Sequence, residues 1–138
     1  MNLDRLSEAE RWLAQALRDL EASKNSARSG FHEWACFQAQ QAAEKAVKAL
    51  LHGLGRGAWG HSVKELLEAL MDTYDSSTLL SYARELDRHY MPSRYPNLYE
   101  SGHPAQYYDK EASERAINYA EGIIEWVREK LRGLGLKK

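Results

Sequence analysis

CFQAQQAAEKAVKALLHGLG, residues 36–55, decides the fold class. Phe37, Ala39, Ala42, Ala43, Ala46, Val47, Leu50, Leu51 and Leu54 recur at the steps that gather side chains on one side of an α-helix. Alanine dominates that side, and a helix lined with methyl groups lets its neighbours come close. Gln38, Gln40, Gln41, Glu44, Lys45 and Lys48 fall mostly on other faces. Glu44 and Lys48 are spaced as a favourable ion pair of the kind that decorates a solvated helix face. The pattern predicts a helix from about His32 to Leu54, ended by the glycines at 53, 55, 57 and 60.

The same period continues on both sides. Leu6, Ala9, Leu13, Ala16, Leu17 and Leu20 predict a helix from about Leu3 to Arg28, with Gly30 as its stop. Downstream, Ser62-Val-Lys-Glu65 is a capping box that opens a helix with Val63, Leu66, Leu67 and Leu70 on its apolar face. A fourth helix is expected from about Ser77 to Tyr90, with Leu79, Ala83, Leu86 and Tyr90 inward. Pro92 disfavours helical geometry at Met91 and ends it. Residues 91–106 read as an irregular loop. Ala112, Ala116, Ile117, Ala120, Ile123, Ile124, Val127 and Leu131 predict a last helix from about Tyr108 to Leu131, followed by a fraying GLGLKK tail. No segment alternates with the period of a strand. The expectation is an all-α fold: one domain, residues 1–138, built as an antiparallel up-and-down bundle of about five helices, three long and two shorter.

Composition narrows the function. The chain has 138 residues and a formal net charge of −1, so any anion site must be a local cluster rather than a property of the whole surface. The lone Cys36 excludes an intramolecular disulfide and a cysteine-rich metal site, and its apolar neighbours mark it as a small core residue. The five histidines, at 32, 52, 61, 89 and 103, show no metal-ligand spacing, so no metal and no cofactor is expected. No apolar run is long enough to span a bilayer and the first residues lack a signal-peptide core, which makes a cytoplasmic, membrane-free protein the expectation. Gly55-Arg-Gly57-Ala-Trp-Gly60 fits the letters GxGxxG, but that motif needs a strand entering the turn, and here a helix enters.

YARELDRHYMPSRYPNLY, residues 82–99, departs from the Ala/Leu/Glu/Lys pattern around it by gathering arginines, a histidine, tyrosines and prolines. The combination of AAEKAVKALL, His61-Ser62 opening the next helix and Arg94-Tyr95-Pro96, in this order and at this size, resembles the HEPN domain family (higher eukaryotes and prokaryotes nucleotide-binding). The resemblance implies a bundle of about five helices, usually dimeric, that works with nucleotides or RNA. It also implies that a small stand-alone member is often paired with a minimal nucleotidyltransferase, sometimes as toxin and antitoxin. Many relatives are metal-independent ribonucleases carrying R-x4-6-H; others are non-catalytic binding modules.

Arg84 and His89 spell R-x4-H. A histidine can move the proton of a ribose 2′-hydroxyl and an arginine can stabilise charge on a phosphorane. Glu85 follows Arg84 where the ribonuclease motif commonly has a polar residue such as Asn. A regular helix also sets the two side chains roughly 140° apart, so they converge only if the helix is distorted or a second subunit completes the site. Arg94 and Tyr95 are the principal ligand- or partner-binding candidates: a guanidinium suits phosphate and a neighbouring tyrosine can stack on a base. The structural alternative has Arg94 pairing with a carboxylate and Tyr95 filling the bundle's end. Arg88 gives weaker support, and His61 lies at a helix start whose free amides favour anions. Tyr95, Tyr99, Tyr107 and Tyr108 crowd one region, as interface tyrosines do. The function expected is a nucleotide- or nucleic-acid-binding accessory module, homodimeric and paired with a nucleotidyltransferase. The alternatives are a ribonuclease toxin and a purely structural interaction bundle.

Overall fold

Alanine makes α2 the centre of the molecule. In the computed structural model, which describes residues 3–137, α2 spans His32–Gly53 and buries Ala35, Ala39, Ala42, Ala43, Ala46 and Ala49 completely. Two other long helices pack on it. α1, Leu3–Arg28, contributes Ala9, Leu13, Ala16 and Leu20, and α5, Lys110–Gly133, contributes Ala116, Ala120, Ile123, Val127 and Leu131. Two short helices, α3 (Val63–Ala69) and α4 (Leu80–Asp87), close the bundle with Val63, Leu66, Leu67, Ala83 and Leu86. The described residues contain no strand, and the molecule is the all-α bundle that the periodicity predicts.

α1 has the bounds its apolar stripe gives. Gly30, at φ +85°, turns the chain, and the amides of Gly30 and Phe31 satisfy the carbonyls of Ala27 and Ser26. The C-terminal tail does not fray through Leu136. Gly135, at φ +111°, reverses the chain, Leu136 N donates to Leu131 O at 3.0 Å, and the Leu136 side chain returns to the core. This is the hydrophobic closure of a helix end, written just beyond the predicted stripe.

The fourth helix is shorter than expected. Ser77–Leu79 is a 3-10 turn, and α4 ends at Asp87 rather than Tyr90. Beyond it the amides of Arg88, His89 and Tyr90 each reach back only three residues, a tightening that precedes Pro92. α5 starts at Lys110 rather than Tyr108 because the Asp109 carboxylate caps it, accepting from Ala112 N at 2.9 Å. Within residues 91–106, Pro96 and Pro104 each open a short 3-10 turn.

Candidate functional site

The segment made by α4 and the turn after it carries three arginines, Arg84, Arg88 and Arg94, that have no carboxylate partner among the described residues. Arg84 and Arg88 are four residues apart, so they share one side of the helix end, and both are exposed. Neither forms an ion pair or side-chain hydrogen bond among the described residues. The two carboxylates of the segment point elsewhere. Glu85 bonds Arg115 at 2.9 Å, across to α5. Asp87 closes the start of α3: its Oδ1 accepts from Val63 N at 2.8 Å, and its Oδ2 accepts from Ser62 Oγ at 2.9 Å and Lys64 N at 3.1 Å.

Arg94, in the turn beyond α4, also has no carboxylate partner among the described residues. Its Nε and Nη2 donate to Tyr90 O at 2.9 and 2.7 Å, curling the side chain back over its own turn. The guanidinium carbon then lies 4.1 Å from the Phe37 ring centre, 4.8 Å from that of Tyr90 and 5.0 Å from that of Tyr95. Three rings therefore clasp a cation that keeps its full charge. The carboxylate pairing of the structural alternative is absent among the described residues, and Tyr95 is 42% exposed rather than filling the bundle's end.

Tyr90 links this cluster to His61, whose ring stacks on it at 4.9 Å and 17°. The structure thus brings together His61, Arg94 and Tyr95 through two rings, Phe37 and Tyr90, that the sequence did not mark as site residues. The α3 amides beside His61 are not open to an outside anion: Asp87 holds those of Val63 and Lys64, and Ser62 Oγ holds that of Glu65 at 3.1 Å. No local signal announces this, because Asp87 lies a whole helix away in sequence.

Arg84 and His89 are not brought together. Arg84 faces solvent, whereas His89 is 9% exposed. His89 Nδ1 lies 2.9 Å from Tyr108 Oη, and Nε2 is buried without a partner. Burial depresses the imidazole pKa below its ordinary value, against the opposing pull of Glu85, so the ring is neutral at pH 7. Beside it, burial pushes the Cys36 thiol up to about 12, which makes it the inert core residue expected. In the tyrosine cluster Tyr99 and Tyr107 stack at 4.3 Å, and Tyr107 stays exposed.

A buried polar seam runs behind the site. Glu44 and Lys48, expected on a solvated face, are buried and paired at 3.0 Å. Gln40 is fully buried, and its Nε2 donates to His61 O at 2.7 Å and to Asp87 Oδ1 at 3.3 Å. Glu44 also accepts from Gln41 Nε2 at 3.2 Å and lies 3.3 Å from His61 Nδ1. The four-residue spacing of Gln40, Glu44 and Lys48 is that of a surface stripe; residues packed across it from elsewhere in the chain, Trp12, His61 and Asp87, turn it into an interior one.

Among the described residues no group of three or more His, Cys, Asp or Glu is placed to hold a metal ion, and no helix is long and apolar enough to cross a membrane.

These features meet in one class of protein: a small all-α bundle with an arginine- and tyrosine-bearing turn after its fourth helix. The model of the HEPN domain matches residues 9–130, and the chain belongs to that family. The fold superimposes on the crystal structure of TT1696 from Thermus thermophilus with a TM-score of 0.86 and 40% identity, covering 94% of this chain and 99% of that one. ST0689, an archaeal HEPN homologue, gives a TM-score of 0.77 and 41% identity, over 90% of this chain and 98% of the other. A protein of Methanocaldococcus jannaschii that bears the name "Putative toxin MJ1304" is 28% identical over 141 residues, 94% of this chain and 93% of that protein.

Proposed function

We propose that this HEPN protein is a nucleotide- or nucleic-acid-binding accessory module, homodimeric and paired with a minimal nucleotidyltransferase in the cytoplasm. The α4 face is its contact surface. The observation that carries the reading is that Arg84, Arg88 and Arg94 have no carboxylate partner among the described residues, on a chain whose formal net charge is −1. Cations without a carboxylate partner are available to phosphate, and the exposed Tyr95 beside Arg94 offers a ring to a base. The rings of Tyr95 and Tyr107 also suit a protein partner.

Fluorescence anisotropy with a short single-stranded RNA tests it. Arg94→Ala is expected to weaken binding about tenfold, the worth of one charge-assisted contact with phosphate. Arg84→Ala/Arg88→Ala is expected to flatten the salt dependence by roughly 0.7 per lost phosphate contact. Wild-type affinity in the triple variant would remove this face from the function.

The toxin name of the archaeal relative favours a second reading, a metal-independent ribonuclease with Arg84 and His89 as its pair. His89 is neutral and so able to accept a proton, but its free Nε2 is enclosed. Catalysis in this form needs that nitrogen to become accessible to the ribose. An RNA-cleavage time course in EDTA discriminates the readings. The accessory module leaves RNA intact with both wild type and His89→Ala; cleavage by wild type alone establishes the ribonuclease.

A further inference from the structure

The geometry points to a phosphate-binding cleft, separate from the α4 face, where the end of α1, the start of α2 and the first turns of α5 meet. The cleft has a volume of about 580 Å³ and presents Lys24, Arg28, His32, Lys110, Ser113 and Glu114 around an apolar floor that includes Ile117.

Its charge is one-sided. Lys24 is paired with Glu121 at 2.9 Å, and Lys110 leans toward Glu114 at a looser 3.7 Å. Among the described residues Arg28 bonds the side-chain oxygen of Asn25, a neutral acceptor, and no carboxylate. With both glutamates counted, a full positive charge remains without a counter-charge. The Lys110 ammonium, on a side chain 79% exposed, is free to swing toward a better partner.

His32 adds an anchored ring. Ser113 is fully buried, and its Oγ lies 3.0 Å from Lys110 O and 2.9 Å from His32 Nδ1. A hydroxyl has one proton, and a carbonyl can only accept. With that proton on Lys110 O, Oγ accepts from Nδ1–H, which fixes the ring's orientation. Among the described residues Nε2 has no partner, so the ring is anchored on one side and open on the other. Carbonyls that would oppose an anion are covered: those of Ser26 and Ala27 accept from Phe31 N and Gly30 N. The start of α2, at the edge of the cleft, has no side-chain cap.

A guanidinium, an ammonium, an anchored imidazole and a hydroxyl-supported wall suit a tetrahedral oxyanion, either a terminal phosphomonoester or a backbone phosphodiester. Amide-resolved NMR titration with inorganic phosphate, at constant ionic strength and with chloride as the control, tests the cleft. Saturable shifts at Gly30, His32 and Ser113 are expected. Arg28→Ala/Lys110→Ala should raise the dissociation constant about tenfold or more through loss of two charged donors. Both side chains point to solvent, so the fold should persist, as an unchanged amide spectrum elsewhere would verify. Shifts still linear at roughly 50 mM phosphate, weaker than even millimolar binding, would overturn the proposal. So would equal shifts with chloride, or a double variant that binds like wild type. Competition then names the source. Displacement by a 5′-mononucleotide at lower concentration than by a dinucleoside phosphodiester assigns a terminal phosphate, and the reverse order assigns a nucleic-acid backbone. Loss of RNA binding at the α4 face leaves these results unaffected.

Discussion

Asp87→Ala is expected to lower the unfolding free energy by about 4 kcal/mol, more than any substitution on the arginine face. The carboxylate serves Val63 N, Lys64 N, Ser62 Oγ and Gln40 Nε2 together. Hydrogen bonds to a charged acceptor contribute about 1.5–3 kcal/mol each, and their removal strands partly buried donors at the head of α3 and on α2. α3 has seven residues and no independent stability, so losing this closure loosens the helix as a whole. Asp87→Asn should lose roughly half as much, because only one of its terminal atoms can still accept while the other confronts donors with donors. A urea titration reads the result. A drop in the midpoint of about 2 M for Ala, and about 1 M for Asn, follows from an ordinary denaturant slope for a small domain. A midpoint for Asp87→Ala indistinguishable from wild type would show that the carboxylate does not hold α3 to α4.

Lys48→Met should cost about 3 kcal/mol, whereas Glu44→Gln/Lys48→Met should return to within about 1 kcal/mol of wild type. The two side chains are 9% and 5% exposed, so removing the ammonium leaves a carboxylate in the interior. Gln41 and His61 give Glu44 some compensation, which keeps the loss toward the lower end of the range for broken buried pairs. Replacing both partners removes the desolvation along with the attraction. The four proteins of a double-mutant cycle measure the coupling. A single Lys48→Met variant as stable as wild type would mean that the pair is wet, and the seam a surface feature after all.

Local chemistry made much of this fold legible. The α1 stripe and Gly30 are read within a single turn of chain, and both bounds of that helix follow from them. The alanines of α2 mark it as the helix that others approach. What stayed hidden depends on partners distant in sequence. Glu44 and Lys48 have the spacing of an exposed pair, and partners distant in sequence, His61 beside Glu44 and Trp12 beside Lys48, place them inside. Asp87 reads as one more polar residue on an amphipathic helix until Ser62 and the amides of α3 are set against it. The same holds at the candidate site. Arg94 and Tyr95 stood out by composition, but the rings that orient Arg94 come from α2 and from Tyr90, a residue expected to face the core. Arg84 and His89 match a motif in letters, and the turn after α4 sends one outward and the other in.

The alanine lining of α2 bears on how this molecule responds to anything it meets. Alanine has no χ angle, so the surfaces along which α1 and α5 seat on α2 have few alternative rotamers with which to absorb a displacement. Such a centre transmits a push instead of yielding to it. Compliance is therefore relegated to the periphery: to the chain between α4 and α5, where Tyr95, Leu98 and Tyr107 stand in solvent, and to the glycine-rich connection bearing the exposed Trp59. The arginine face sits at the margin between the rigid and the yielding parts, with Arg84 fixed to a helix and Arg94 carried by the turn beyond it.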